Sequence, residues 1–563
     1  MGDAVRIIRD VVPVDGDGAE AARVDVVLRG EGIDRIEPVG TTPDAAHVID
    51  GGGRLLLPGF VDAHAHADGR IFDAGVQLAL LRQGVTTVIG GQDGVSYAPG
   101  DGAYASEYFA AINGPHPGYD GGGIRSLLAS YDGTAPLNQG LLVPAGTVRD
   151  LVCGRSTDAA GPAELEAMLA LVADGLAEGA LGLSTGLDYV PGVFATTEEL
   201  ARLTEPVAAA GGVYVSHMRG GYEANSAAGI AEIEAIARHS GVAVHVSHFH
   251  AEPHIVHEQL RRLEASGVDA FFDAYPYTRG CSILAMPVLP AWLTVRPTAE
   301  VLAVITDPDG RRRLLEEWFP TIVDYPSLGP DWPEMLTLAH IAAPELAWAH
   351  GLTIGAAAAR AGTGPAEFAL DVLAASRLEV NVVMAVRYDR DDADLAAILA
   401  HPRAIGGSDG IFIGAHPHPR ARGSFARYLR LLVVSRADLG WAEAAALVST
   451  RAVDRFGLGD RGRVRAGAVA DLVLADPARI ADRATYDDPL ALAEGIDDVL
   501  VAGTPVLEGG CLTGATPGRG IRRSPSNSLF RKGYGNAGPS GGGTASRGPA
   551  IAHPLLKSEM RGE

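Results

Sequence analysis

Residues 55–69 read LLLPGFVDAHAHADG, an apolar run that ends abruptly on two histidines one residue apart. In an extended strand, residues i and i+2 point to the same side, so His64 and His66 leave the strand end in one direction. A pair placed that way can grip a metal ion, or it can be two solvated loop histidines. The surrounding chain has to decide.

Working outward, apolar and β-branched runs alternate with Ala- and Leu-rich helical stretches, the pattern of βα units around a parallel sheet. The candidate strands are LLLPGFVDAH, GVTTVIGG, GLLVPAG, GALGLSTG, GVYVSHM, VAVHVSHF, VDAFFDAYPY and PRAIGGSDG, eight in all. That number predicts an α/β fold of the TIM (β/α)8 type, in which chemistry sits at the C-terminal strand ends. Several of these runs do end on reactive side chains: His64 and His66, Asp93, His217, His248 and Asp409.

Before the first of these strands, short β-type runs broken by Gly and Asp predict a small sheet. Matching runs return in GRVRAGAVADLVLADPARI and GIDDVLVAGTPVLEGG. The expected organisation is a β-sandwich from residues 1–56 and 460–515, a catalytic barrel over 57–459 with an insertion at about 281–400 that could form a lid, and a tail over 516–563. The Gly, Ser, Pro and Arg content of that tail predicts disorder.

Composition narrows the function class. A formal net charge of −23 repels phosphate, which argues against binding nucleic acid or an anionic membrane. Cys153, Cys281 and Cys511 are widely spaced, and the N-terminal stretch carries acids within its first apolar patch. Together these predict a cytoplasmic protein without a disulfide framework or membrane span. The only lysines are Lys532 and Lys557, so a metal-bridging carboxylated lysine is not expected within residues 1–531.

Imidazoles at strand ends suit zinc, whose catalytic sites keep a position open for water. A lone histidine such as His217 is more often a satisfied polar group, but the paired runs VYVSHM and VHVSHF in succeeding βα units favour ligation. Asp409 adds a carboxylate able to take a proton from water and pass it to a leaving group, although an Asp before Gly410 also suits a simple turn.

The ordered series LPGFVDAHAH, GVTTVIGGQDGVSYAP, GALGLSTGLDYVPGVFATTEEL, YVSHMRGG, VHVSHFHAE, DAYPYTRG, IGGSDG with HPHPRARGSFARYL, and DRGRVRAGAVADLVLADP resembles the amidohydrolase superfamily, and within it the N-acyl-D-amino-acid deacylases. The likeness spans roughly residues 4–525. It implies a metal-dependent barrel with a β-sandwich, one or two zinc or other divalent ions, and hydrolysis of a small N-acylated D-amino acid. By matching motif it implies His64 and His66 on a weaker metal site, His217 and His248 on a tighter one, Asp409 as general base and then acid, and Tyr189, Tyr277 and Arg420 as substrate-binding residues. His250, His254 and His257 are assigned to the surface.

The chain departs from the family at QDGVS, which places Asp93 where the usual run carries a metal-binding cysteine. An oxygen donor there lowers the preference for thiophilic ions. Cyclic amide hydrolysis or deamination on the same fold, and a non-catalytic scaffold, are the competing readings.

Overall fold

A computed structural model describes residues 5–18, 22–42, 47–324, 328–388 and 390–523. Its centre is a ring of parallel strands: β1 (Phe60–Asp62), β2 (Val85–Gly90), β3 (Asn138–Leu141, continued by Val143–Pro144), β4 (Gly182–Gly186), β5 (Val213–His217), β6 (Ala243–Val246), β7 (Ala270–Asp273) and β8 (Ala404–Ile405). Each pairs in parallel with the next. The backbone N–H of Ala63, just past β1, donates to the carbonyl of Gly406, just past β8, at 3.0 Å and ties the two ends of the ring. All eight runs expected as strands contribute to this barrel. They are short and buried along nearly their whole length, as strands covered on both faces require.

The helices between them carry ordinary start and stop signals. Thr197–Ala209 begins with the Thr196 hydroxyl accepting the N–H of Glu199, and Glu198 and Glu199 lie in its positive first turn. Ser226–Ser240 ends at Gly241, whose φ of 72° is the left-handed conformation that closes a helix.

The opening stretch serves two layers. Leu55–Pro58 pairs antiparallel with Leu472–Ala475, whereas Phe60–Asp62 turns into the barrel. Gly59 makes this switch possible, because a side chain there would meet the Thr86 hydroxyl at 2.2 Å. The first layer is a nine-stranded sheet in which Val5–Pro13, Val24–Arg29, Gly32–Pro38 and His47–Asp50 join Leu55–Pro58, and Ile496–Val501, Thr504–Glu508 and Cys511–Leu512 extend from Leu472–Ala475. Ile8, Val26, Leu56, Leu472 and Leu500 belong to the apolar core on this sheet. The result is a TIM barrel flanked by a small β-sandwich domain built from both chain ends.

Between β7 and β8 the chain builds a separate antiparallel sheet from Gly280–Ile283, Val380–Met384 and Leu336–Ile341. Helices around it close a core of their own, including Leu293, Phe319, Trp332 and Phe368. This unit reaches the barrel loops through Asn381, whose amide donates to the Ala111 carbonyl at 2.6 Å.

The disorder expected from residue 516 onward is not found over 516–523. Gly520–Ile521 pairs in parallel with Gln139 and Gly140 of β3, and the Gly518 N–H donates to Ala135. Side chains at 518 and 520 would lie 2.0 and 2.2 Å from the carbonyl oxygens of Leu137 and Leu128. Glycines that suggested a loose tail are thus required for close packing. Residues 524–563, with Lys532 and Lys557, lie outside the described residues.

Candidate metal centre and active site

Six side chains converge at the C-terminal mouth of the barrel. His64 and His66 follow β1, Asp93 follows β2, His217 ends β5, His248 follows β6 and Asp409 follows β8. All six are buried. Asp93 stands among the four imidazoles: its Oδ1 is 3.6 Å from His64 Nε2 and 3.7 Å from His248 Nε2, and its Oδ2 is 3.6 Å from His66 Nε2 and 3.8 Å from His217 Nδ1. Asp409 Oδ1 lies 3.3 Å from His66 Nε2 and 3.7 Å from His64 Nε2. His217 Nδ1 faces His248 Nε2 at 3.1 Å.

These atoms form two overlapping donor sets, His64 with Asp93 and His248, and His64 with His66 and Asp409. Both ring nitrogens of His64 and Oδ1 of Asp93 are buried without a hydrogen-bond partner among the described residues. Unpaired buried polar atoms are costly, and facing lone pairs of N and O type are what a divalent cation satisfies. The residues present therefore fit a metal centre.

The backbone is strained at three of these positions. Asp93, His248 and Asp409 have φ of 53°, 33° and 48°, in the left-handed region that side-chain-bearing residues enter at a cost of roughly 1–3 kcal/mol each. Such geometry persists where the surroundings impose it, and here it aims three side chains at one point.

A further layer of carboxylates orients the histidines. Asp188 Oδ2 is 3.2 Å from His217 Nε2, while its Oδ1 accepts the Gly220 N–H at 2.7 Å. Asp273, at the end of β7, accepts the His248 N–H at 2.8 Å, pairs with His245 Nε2 at 2.8 Å and lies 3.4 Å from His64 Nδ1. Neither carboxylate was singled out in the sequence, although DAYPY and GLDYVPG contain them.

Electrostatics follow from this crowding. Burial pushes His66 down, but Asp409 and Asp93 outweigh it and lift the imidazole to about 10. Burial likewise opposes charge on His217, yet Asp188 and Asp93 raise it to about 10. Burial would raise Asp409, but Arg420 and then His66 hold its carboxyl well below the usual range.

Of the residues expected to hold substrate, two are at the site. Arg420 Nη1 is 2.8 Å from Asp409 Oδ2, with the guanidinium fully buried. The Tyr189 ring lies 5.0 Å from that of His217, and its hydroxyl bonds Ser282 of the inserted unit at 3.0 Å. Tyr277 packs against the helix Arg420–Leu429 that begins with Arg420. Its ring packs against His418 and under Arg427, with its hydroxyl beside Gly423. The Tyr275 ring lies 4.5 Å beneath the Arg420 guanidinium.

The surface assignment of His250 is also corrected. It is buried, with its ring 4.2 Å from Tyr275, and neither ring nitrogen has a hydrogen-bond partner among the described residues. Burial, then the nearby Arg390 cation, holds it well below the usual imidazole range. His254 is exposed as expected, and His257 bonds the Ala397 carbonyl at 3.1 Å.

Comparison with known proteins agrees with this architecture. The amidohydrolase family model matches residues 47–507. The D-aminoacylase of Alcaligenes xylosoxydans xylosoxydans is 32% identical over 528 residues, covering 91% of this chain and 96% of that protein. The N-acyl-D-glutamate deacylase of the same organism is 31% identical over 528 residues, covering 91% and 95%. The crystal structure of N-acyl-D-glutamate deacylase from Bordetella bronchiseptica, complexed with zinc and a phosphonate inhibitor that mimics the tetrahedral intermediate, matches with a TM-score of 0.76 at 28% identity, over 93% of this chain and 100% of that one. With a barrel of this topology and histidines and carboxylates gathered at its mouth, the chain belongs to the amidohydrolase family.

Proposed function

We propose that the protein hydrolyses the amide bond of N-acyl-D-amino acids, releasing a carboxylate and a free D-amino acid. The observation that carries this reading is the 2.8 Å approach of Arg420 to Asp409 at the edge of the histidine cluster. In an N-acylated amino acid, the scissile nitrogen and the α-carboxylate are attached to the same carbon. A group that protonates that nitrogen must therefore stand beside the group that binds the carboxylate, and Asp409 and Arg420 stand so. The names of the relatives support the D configuration.

His64, His66, Asp93, His217 and His248 would hold one or two divalent ions, zinc among them, with Asp93 favouring harder cations than a thiolate does. When bound, the cation supplies Lewis acidity that activates water and polarises the acyl carbonyl. Arg420 presents its planar fork to the α-carboxylate through two parallel hydrogen bonds. Asp409, kept ionised by Arg420, accepts a proton from the attacking water and returns it to the departing nitrogen. Tyr189 and Tyr275 wall the substrate, and the unit over residues 280–384 acts as a lid that excludes bulk water. The three cysteines are free, which agrees with a reducing, cytoplasmic setting.

The test is a panel of matched N-acetyl-D- and N-acetyl-L-amino acids assayed for free amino acid with zinc, cobalt or manganese added. Selective release from the D series is expected. Ammonia release without deacylation would replace this reading with deamination.

A further inference from the structure

A second buried arginine stands near Tyr275 and His250. Arg390 is 6% exposed, and its Nε and Nη1 make no hydrogen bond among the described residues. Its Nη1 approaches the Glu223 carboxylate at 2.9 Å. Glu223 belongs to the loop that follows β5, has a φ of 57°, and donates its backbone N–H to the His250 carbonyl at 3.3 Å. The His250 ring, with both nitrogens free of hydrogen bonds, rests on Tyr275, and Tyr275 lies beneath Arg420. Arg420, Tyr275, His250 and the Glu223–Arg390 pair thus form a continuous wall.

A guanidinium with unmet donors, taken out of water against a single carboxylate, is a poor stabilising device. An apolar side chain in its place is often neutral or better. The same arrangement recurs at Arg420, whose buried nitrogens also lack hydrogen bonds while Asp409 balances the charge. In each case an internal carboxylate compensates a buried cation that keeps a further nitrogen without a hydrogen-bond partner among the described residues.

We infer that Arg390 is the specificity-determining residue of the side-chain subsite, binding a carboxylate on the substrate's side chain, so that the enzyme acts on acidic N-acyl-D-amino acids. This rests on the deacylase reading above. Arg420 takes the α-carboxylate, Arg390 takes the side-chain carboxylate, and Tyr275 with His250 spaces the two. Glu223 keeps Arg390 compensated while the subsite is empty and withdraws when the substrate carboxylate arrives.

The experiment compares kcat/KM for N-acetyl-D-glutamate, N-acetyl-D-aspartate, N-acetyl-D-leucine and N-acetyl-D-methionine in the metal-replete full chain and in Arg390→Met, Arg390→Lys and Glu223→Gln. The wild type should prefer the acidic pair. Arg390→Met should cut kcat/KM for that pair on the order of 100-fold, mainly through KM, and keep or raise it for the apolar pair. Arg390→Lys should recover part of the loss, and Glu223→Gln should lower KM for acidic substrates only. Efficient hydrolysis of the apolar pair alone by the wild type overturns the inference and leaves the deacylase reading standing, without recourse to any variant. An equal loss on all substrates in Arg390→Met assigns the pair to structure and also overturns it. Failure of the wild type on all four overturns both.

Discussion

The Asp188 carboxylate lies 3.2 Å from Nε2 of His217, on the opposite side of the ring from Nδ1, which faces His248 and Asp93. His217 is thereby fixed to present Nδ1 to the centre. Carboxylates that hold a ligating imidazole this way commonly contribute about 10–100-fold to metal affinity. Asp188→Asn should weaken metal retention by that order, measured by competition with a chromogenic chelator, while circular dichroism stays unchanged. Wild-type affinity in the variant would show that Asp188 serves only to accept the Gly220 N–H.

Asp93 sits within 3.6–3.8 Å of all four histidines. Asp93→Ala should therefore reduce both metal per chain and turnover. Asp93→Cys should hold zinc more tightly against chelators and discriminate more strongly against manganese, because thiolate favours the softer ion. Metal analysis after dialysis reads both outcomes; full occupancy and full rate in the alanine variant would remove Asp93 from the ligand set.

Asp409→Asn retains the shape of the side chain and removes its basicity. Turnover should fall about 100-fold or more, the scale typical of a positioned acid-base group. The rate is to be measured at saturating substrate with metal content determined in parallel, so that a lost proton shuttle is separated from a lost ion. Near wild-type turnover would transfer the proton steps to another group.

The pH dependence of stability has a contributor outside the candidate ligand set. Burial among Phe72, Tyr97 and Tyr131 lowers His116 to about 4. An imidazole whose folded pKa is depressed binds its proton more readily when unfolded. Its stabilising contribution is complete above the unfolded value near 6.5 and is lost as the pH falls toward 4. The Tm of the wild type should consequently drop more steeply between pH 6.5 and 4 than that of His116→Phe. Parallel curves would exclude His116 as the source.

Much of the barrel was legible because each strand is a short apolar run, and the site residues end it or follow it within a few positions, so periodicity and chemistry point to the same places. His64, His66, His217, His248 and Asp409 are all visible that way. What sequence could not rank was the second layer: Asp188 and Asp273 act through contacts between separate βα units, and nothing local distinguishes them from turn or cap aspartates. In YPY the sequence does not show that the Tyr277 ring packs on His418 and under Arg427 while the Tyr275 ring lies beneath Arg420, because those partners come from distant parts of the chain. Residues 516–523 were misjudged because glycine selected for close backbone approach has the same composition as glycine in a flexible linker.

The most direct test of the account is the rate of D-amino acid release from an N-acetyl-D-amino acid, followed as chelated protein is titrated with a divalent ion and metal per chain is counted. Release should be absent without metal and should appear as the sites formed by His64, His66, Asp93, His217 and His248 begin to fill. Full occupancy without release, or undiminished release from metal-free protein, would contradict it.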